Sequence, residues 1–382
     1  MKVLLIGNGN SIWIKNYIRD VLISNNAKIY LYTNIITNDK YLNYYKENNI
    51  NIINIKNKYT LIKKIPKVRG VINIIFVLYE IWKNRNYDVI HVHFADSLSC
   101  WLALICRGMT KKEVCSFWGS DLMRVSDKKL RKLTRYLNQC HVITITTKKM
   151  INKFISIYGH RYDYKIKRNR FGIETYDIID NIITSEDQNS IREKLRIPDS
   201  KIIICIGYNG SEAQQHLKVI EQISRIDPIL CKNIFIILQM TYGCSSEVYY
   251  NKIKKSLESL ACKSMILTDY MDDYDIARLR CATDIFIHAQ TTDGLSASFQ
   301  EYIYAGAIVV NAIWLNYEEL EELGIRYIKY SSFDEIPSLL VNLINNMHYY
   351  KSINIENRNI LKSYTSIKAV SKQWYSLYLN QT

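Results

Sequence analysis

Short runs rich in β-branched residues recur along the chain, and longer segments with apolar residues at helical spacing separate most of them. In the first half the runs are KVLLIG at 2–7, KIYLYT at 28–33, INIINI at 50–55, DVIHVHF at 88–94, KEVCSFW at 112–118 and HVITIT at 141–146. A second series follows: KIIICIG from 201, NIFIILQM from 233, SMILTD from 264, DIFIHA from 284, AIVVNA from 307 and RYIKY from 326. Strands alternating with helices predict βαβ units and parallel sheets. Two series predict two such sheets. From about Tyr176 to Ser200 the sequence is polar and poor in strand residues, with Pro198 just ahead of the next run, and the linker is expected there. The predicted fold is therefore α/β, two Rossmann-like domains over 1–178 and 199–350 facing a cleft. A last segment, 351–382, carries Trp374, Tyr375 and Tyr378 at helical spacing.

Composition supports this division. The 382 residues exceed what one core usually organises, and the 48% hydrophobic content runs along the whole length, which excludes a disordered chain or a fibrous repeat. The opening MKVLLIGNGNSIW has five apolar residues before a Gly-Asn turn and reads as a buried first strand instead of a signal peptide. VINIIFVLYEIW at 71–82 contains Asn73 and Glu80 and falls short of the roughly 20 residues a spanning helix requires. The nine cysteines are scattered without a CxxC pair or metal-ligand spacing, and several, such as Cys115 and Cys205, lie inside apolar strands. Reduced core cysteines of a cytoplasmic protein are expected, with no metal site.

Charge adds something the apolar pattern does not contain. Residues 1–170 hold 31 Lys and Arg against 10 Asp and Glu, a balance of +21, whereas the remainder holds 20 against 26, a balance of −6. The densest basic stretches are Lys56, Lys58, Lys63, Lys64, Lys67 and Arg69 leading into 71–82, and KKLRKLTRYL at 128–137. Cations combined with an apolar face suit the anionic leaflet of a membrane, although simple solvated helix faces would carry the same residues. Nucleic acid is not expected, because no helix-turn-helix, zinc finger or RNA-binding signature accompanies the charge.

The unusual residues gather at strand ends, where ligands of such sheets bind. Gly7, Asn8, Gly9 and Asn10 form a Gly-rich turn into a helix, without the third glycine of a dinucleotide fingerprint. HVHFADS places His91 and His93 on one face of its strand, at least one of them readable as a core histidine, and SFWGSDL ends at Trp118, Gly119, Ser120 and Asp121. In the second half Gly207, Asn209, Gly210 and Ser211 precede a helix that begins near His216, a Gly/Asn/Ser turn able to hold an anion such as diphosphate. HAQTTDGLSASFQEYIYAGAIVVNA then sets Asp293 in a loop and Glu301 on the following helix. Two carboxylates at different depths along one wall can accept from hydroxyls of two different rings; the plain alternative is a helix cap at Asp293 and a solvated Glu301.

The succession DVIHVH, SFWGSD, ITITTKKM, RFGIE, LTDYMDDYDIARLRCATDIFIHA and the acidic-x7-Glu element before YAGAIVV resembles the GT-B glycosyltransferases of family 4 over nearly the whole chain. The resemblance implies transfer of a sugar from a nucleotide diphosphate donor, with retention and without a metal ion or other cofactor. It implies that Glu301 binds the donor ribose, that Asp293 contacts the donor sugar, and that Gly294, Leu295 and Ser296 line the phosphate or sugar through their backbone. It also implies a last helix that crosses back to the first domain. The family's first acidic residue is usually Glu, so Asp293 shortens the reach by one methylene. Trp118 stands where the family commonly has His, and GYNGSEAQQH lacks the usual Arg and Lys, leaving Asn209, Ser211, His216 or the helix terminus to face the diphosphate. That loop and LQMTYG at 238–243 look more like the fucosamine transferases acting on lipid-linked intermediates.

The expected activity is that of a glycosyltransferase serving O-antigen or capsule-type polysaccharide synthesis. Its acceptor would be a polyprenyl-diphosphate-linked saccharide or another anionic molecule, reached from the inner face of the cytoplasmic membrane. The departing phosphate would take the acceptor proton, with Asp121 and His93 as candidate protein groups beside Asp293. A nucleotide-sugar epimerase of the same fold and a non-catalytic polyanion-binding protein are the alternatives.

Overall fold

The computed structural model describes the chain apart from residues 35, 37–38, 54–65, 199–200, 245 and 380–382, and apart from the side chains of 66–72. The basic run from Lys56 to Arg69 thus lies outside the described residues and side chains. The chain forms two compact units: Met1–Gly172 with Ile367–Thr382, and Ile173–Ser366.

Unit 1 contains β1 (Lys2–Ile6), β2 (Lys28–Tyr32), β3 (Asn51–Ile53), β4 (Tyr87–Val92), β5 (Thr110–Phe117), β6 (Val142–Ile145) and β7 (Ile166–Arg168). They pair in parallel in the order β3-β2-β1-β4-β5-β6-β7. Every expected run of this half contains a strand, and β7 is an addition. IKR carries no apolar run because β7 is three residues long, sits at the sheet edge and leaves Lys167 and Arg168 exposed. In β1, Leu4 and Ile6 enter one core while Val3 and Leu5 enter the core on the opposite face. A parallel strand covered on both sides needs apolar residues at successive positions, which KVLLI supplies.

Unit 2 contains β8 (Ile202–Ile206), β9 (Ile234–Gln239), β10 (Lys263–Leu267), β11 (Ile285–His288), β12 (Ile308–Ala312) and β13 (Ile328–Tyr330), parallel in the order β10-β9-β8-β11-β12-β13. The polar stretch where a linker is expected is helical over Thr175–Ser185 and Gln188–Lys194. Tyr176, Ile179, Ile182 and Ile191 are buried in the unit 2 core, so a sparse apolar stripe at helical spacing holds these helices down. The units part at Gly172/Ile173 and again at Ser366/Ile367.

The helix Ile367–Leu379 completes unit 1. Val370, Trp374 and Tyr378, spaced by four, enter the core that holds Val3, Leu5, Ile29 and Val114. Trp374 Nε1 donates to the Arg170 carbonyl at 2.8 Å. The Tyr378 hydroxyl is 2.6 Å from Tyr17 Oη and 2.6 Å from His91 Nδ1, and His91 Nε2 continues to Ser116 Oγ at 2.7 Å. The helix is thus seated by an apolar stripe and a satisfied buried polar chain, and together with the two sheets it gives the GT-B architecture. Among the described residues no helix is long and apolar enough to cross a membrane.

Candidate active site

In unit 2 the strand order turns between β8 and β11, and the loops after these strands hold most of the unusual residues. After β8 the chain turns at Gly207 with φ +65°, where a Cβ would come within 2.8 Å of His216 Nε2. Asn209 Oδ1 accepts from Ser211 N at 2.9 Å, and Ser211 Oγ accepts from Ala213 N at 3.3 Å. Gly210 N donates to the Tyr242 carbonyl at 2.7 Å, tying this loop to the one after β9. His216 opens the helix His216–Ile223 but points inward: it is fully buried, its Nδ1 is 3.0 Å from Tyr249 Oη, and burial pushes the ring down to about 4. A neutral imidazole is the result.

The loop after β11 is bound to the first. Tyr208 Oη donates to Gln290 Oε1 at 2.5 Å, and Thr291 N donates to the Ala213 carbonyl at 2.8 Å. Asp293 Oδ1 accepts from Gly294 N at 2.7 Å and its Oδ2 from Tyr317 Oη at 3.1 Å. The cap of the next helix, Ala297–Ala305, is Ser296, whose Oγ accepts from Phe299 N at 3.1 Å. Asp293 is therefore not the cap, and its carboxylate is held at the loop by Tyr317. Behind it, the buried His288 has Nε2 at 3.9 Å from Asp293 Oδ2. Asn311 Nδ2 donates to the carbonyls of Ala312 and Leu315, so its Oδ1 accepts from His288 Nδ1 at 3.0 Å and Nε2 carries the lone pair. Burial lowers the His288 pKa, against the opposing pull of Asp293.

Glu301 lies on the helix Ala297–Ala305 and is 8% exposed, which removes the alternative of a solvated carboxylate. Its Oε2 accepts from Arg280 Nε at 3.1 Å and its Oε1 from Thr175 Oγ1 at 2.9 Å. Arg280 is 2% exposed; its Nη1 donates to Gln239 Oε1 at 2.9 Å and to Tyr302 Oη at 2.8 Å, and the guanidinium lies 4.2 Å from the Tyr302 ring centroid. A buried carboxylate needs such a counter-charge, because an unpaired one costs several kcal/mol, roughly 3–5 when one partner of a pair is removed.

In unit 1 the order turns between β1 and β4. Gly9 N donates to Thr33 Oγ1 at 2.9 Å and Gly9 O accepts from Tyr45 Oη at 3.0 Å, while Asn10 N donates to Asn8 Oδ1 at 3.0 Å. A Cβ on Gly7 would meet Ile14 Cδ1 at 2.5 Å and lie 3.6 Å from His93 Cβ, so the first loop and the end of β4 approach closely. His93 is buried among Tyr17, Trp118 and Phe171, and burial holds it down to about 3. Trp118 stacks on Phe171 with centroids 3.9 Å apart, and Phe171 stacks on the half-exposed Trp13 at 4.6 Å. Asp121 is 2% exposed, with Oδ1 accepting from the backbone N of Trp118 and Gly119 at 2.9 Å each and Oδ2 from Ala95 N at 3.3 Å. Its carboxylate clamps the loops after β4 and β5, and Gly119 at φ +144° makes the turn into the exposed Ser120.

Comparison with known proteins adds to this geometry. Residues 2–156 match the glycosyl transferase 4-like family model. A glycosyltransferase from Rickettsia africae ESF-5 superposes with TM-score 0.77 at 15% identity, covering 100% of this chain and 99% of that one. Anabaena HepE, solved in complex with UDP, gives 0.72 at 16% identity with 99% of each chain covered, and it is also solved with UDP-glucose. WaaG, a glycosyltransferase involved in lipopolysaccharide biosynthesis, gives 0.59 at 11% identity over 100% of both chains. The chain has the GT-B fold, and its residues 2–156 are similar to the 4-like glycosyl transferases. No curated protein matches its sequence significantly.

In this GT-B fold the residues expected for the donor are on unit 2 at neighbouring strand ends: Gly207 to Ser211 after β8, and Asp293 to Ser296 with Glu301 after β11. Those expected for the acceptor side are on unit 1. Sequence reasoning missed Arg280, Thr175, Tyr317 and Phe171. Arg280 had a signal, a single cation set in the apolar neighbourhood of Leu279, Cys281 and Ala282. Thr175 had none, since nothing in a polar helix start points to a carboxylate 126 positions away.

Proposed function

We propose that this protein is a glycosyltransferase that transfers a sugar, with retention and without a metal ion, from a nucleoside diphosphate donor bound by unit 2. The acceptor is a lipid-linked anionic saccharide of surface polysaccharide assembly, met by unit 1 at the inner face of the cytoplasmic membrane. The observation that carries the donor reading is Glu301: a buried carboxylate fixed from both sides by Arg280 and Thr175, one helix away from the loop carboxylate Asp293. HepE, which shares the fold, is solved with UDP and with UDP-glucose, and this supports a sugar nucleotide as the donor. Glu301 takes ribose hydroxyls, Asp293 takes donor-sugar hydroxyls, and the backbone of Gly294, Leu295 and Ser296 faces the phosphate or sugar. The loop Asn209 to Ser211, which lacks the usual Arg and Lys, lies beside the diphosphate, with its own N–H groups of Gly210 and Ser211 bonded to the Tyr242 carbonyl and Asn209 Oδ1. Fixed backbone dipoles at a site held this rigidly stabilise a departing diphosphate without reorganising at the moment of reaction.

The proton acceptor of this reading stays the departing phosphate. Asp121 already accepts from three backbone N–H groups, and His93 is buried, so the departing phosphate is the base this reading retains. For the membrane, the helix Ser97–Ile105 exposes Leu98, Trp101 and Ile105 along one side, and the segment leading into and opening the helix Thr134–Gln139, which packs on it, exposes Lys128, Lys129, Arg131, Lys132 and Arg135. Apolar anchors flanked by cations suit an anionic interface.

A thermal-shift series with UDP, GDP, ADP, CDP and their glucose or N-acetylglucosamine derivatives tests the donor site. A ligand at about 100 times its dissociation constant stabilises the fold by roughly 2.7 kcal/mol. One nucleotide family is expected to shift the melting temperature, Glu301→Gln to reduce the shift for nucleoside diphosphate and sugar nucleotide alike, and Asp293→Asn only the extra shift contributed by the sugar. No shift with any nucleotide would remove the donor assignment.

A further inference from the structure

The pairing of Glu301 with Arg280 is uneven in a way that bears on what the carboxylate can still accept. A carboxylate offers about four lone-pair sites, two on each oxygen. Arg280 occupies one on Oε2 through Nε, and Thr175 occupies one on Oε1 through its hydroxyl. Guanidinium groups commonly span both oxygens of a carboxylate. Here the rest of the fork is turned elsewhere, Nη1 to Gln239 and Tyr302 and Nη2 toward Ser298 Oγ at 3.4 Å, with the Tyr302 ring beneath. One acceptor site therefore remains on each oxygen. Two neighbouring hydroxyls of a ribose fill such a pair together; a single hydroxyl fills half of it.

We infer that Arg280 and Thr175 are positioning residues that make Glu301 a two-point acceptor for the ribose diol, so that discrimination of ribonucleotides from 2′-deoxyribonucleotides in this enzyme depends on Arg280. The inference rests on the assignment of Glu301 to the donor ribose. Arg280 acts through Glu301 because, at 2% exposure, it is covered by the groups it bonds. A lysine could not replace it, since one ammonium cannot reach Glu301, Gln239, Tyr302 and Ser298 from a single position in a planar arrangement. Gln239 closes β9 and Arg280 belongs to the helix Asp273–Ala282, so the carboxylate is referenced to the sheet as well as to its own helix.

The test is calorimetric binding to the full chain. UDP, GDP, ADP and CDP are titrated first, and the tightest is then compared with its 2′-deoxy analogue. Wild type is expected to bind the deoxy form roughly tenfold or more weakly, the loss of one hydrogen bond to a charged group. Arg280→Met is expected to bring that ratio close to one by weakening the ribonucleotide alone. A variant that weakens both nucleotides equally, leaving the ratio intact, overturns the inference and makes Arg280 a structural residue. If Arg280→Met does not fold, Thr175→Val decides: a reduced ratio supports the two-point acceptor and an unchanged ratio overturns it. A wild-type ratio near one overturns the inference while leaving nucleotide binding in place. No binding of any nucleotide overturns the donor reading on which it stands.

Discussion

Four imidazoles, His91, His93, His216 and His288, are buried. Burial holds His93 down to about 3 and His216 to about 4 and lowers the other two as well, from an ordinary 6.5. Below pH 6.5 the unfolded chain binds protons that the folded chain refuses, so stability falls as pH drops from 6.5 toward 4. Each such histidine contributes about 1.4 kcal/mol per pH unit once its unfolded form is fully charged. Glu113 acts in the opposite direction. Burial pushes its carboxyl up to about 7, against opposing help from Gln139 and nearby cations, while the unfolded group ionises near 4.5. Between these values the folded chain holds the extra proton, so Glu113 lowers stability as pH rises through the window and keeps it lowered above 7. Glu113→Gln is therefore expected to stabilise unit 1 at pH 8, by on the order of 1–3 kcal/mol, and to change little at pH 4. Urea denaturation at the two pH values checks this; an equal gain at both would assign the effect to packing.

At the scale of elements, the strands were legible because a sheet covered on both faces needs successive apolar residues, and twelve such runs each contain a strand. β7 and the helices over 175–194 were not, since an exposed edge strand and a helix with one narrow buried stripe leave only a weak apolar pattern. Of the candidate site, the positions of the two loops were legible from turn residues at strand ends, and that of Glu301 from its place on the helix after the second loop. The partners of Glu301 were not, because Thr175 and Arg280 meet it only through tertiary packing. The loop after β8 yields a prediction of its own. A Cβ on Gly210 would come within 2.6 Å of Cys244 Cβ and 3.0 Å of its backbone N, whereas a Cβ on Gly294 meets nothing within 4 Å. Gly210→Ala is expected to cost roughly 1–3 kcal/mol and to weaken nucleotide binding by shifting the loop, with Gly294→Ala close to neutral in stability. Paired melting curves with and without the nucleotide that binds wild type separate the two effects.

Across the whole molecule the +21 balance of residues 1–170 opposes the −6 of the rest, so an anionic surface attracts one unit and not the other. Flotation with vesicles containing anionic lipid is expected to carry the protein at low salt and to release it at high salt. Replacing Lys128, Lys129, Arg131, Lys132 and Arg135 by Glu should abolish flotation without touching nucleotide binding; binding that ignores both salt and lipid charge would remove the membrane reading. The seat of the helix Ile367–Leu379 in unit 1 has a further consequence, in the time order of synthesis. Unit 2 is inserted whole between two pieces of unit 1. At about 5–20 residues per second, a ribosome spends roughly 10–40 s on the 194 residues of unit 2 before it begins that helix. Throughout that interval the nascent sheet of unit 1 lacks Trp374 and the polar chain through Tyr378 that caps His91. The domain begun first is completed last, and a chain released at residue 366 carries all of unit 2 attached to an unfinished unit 1.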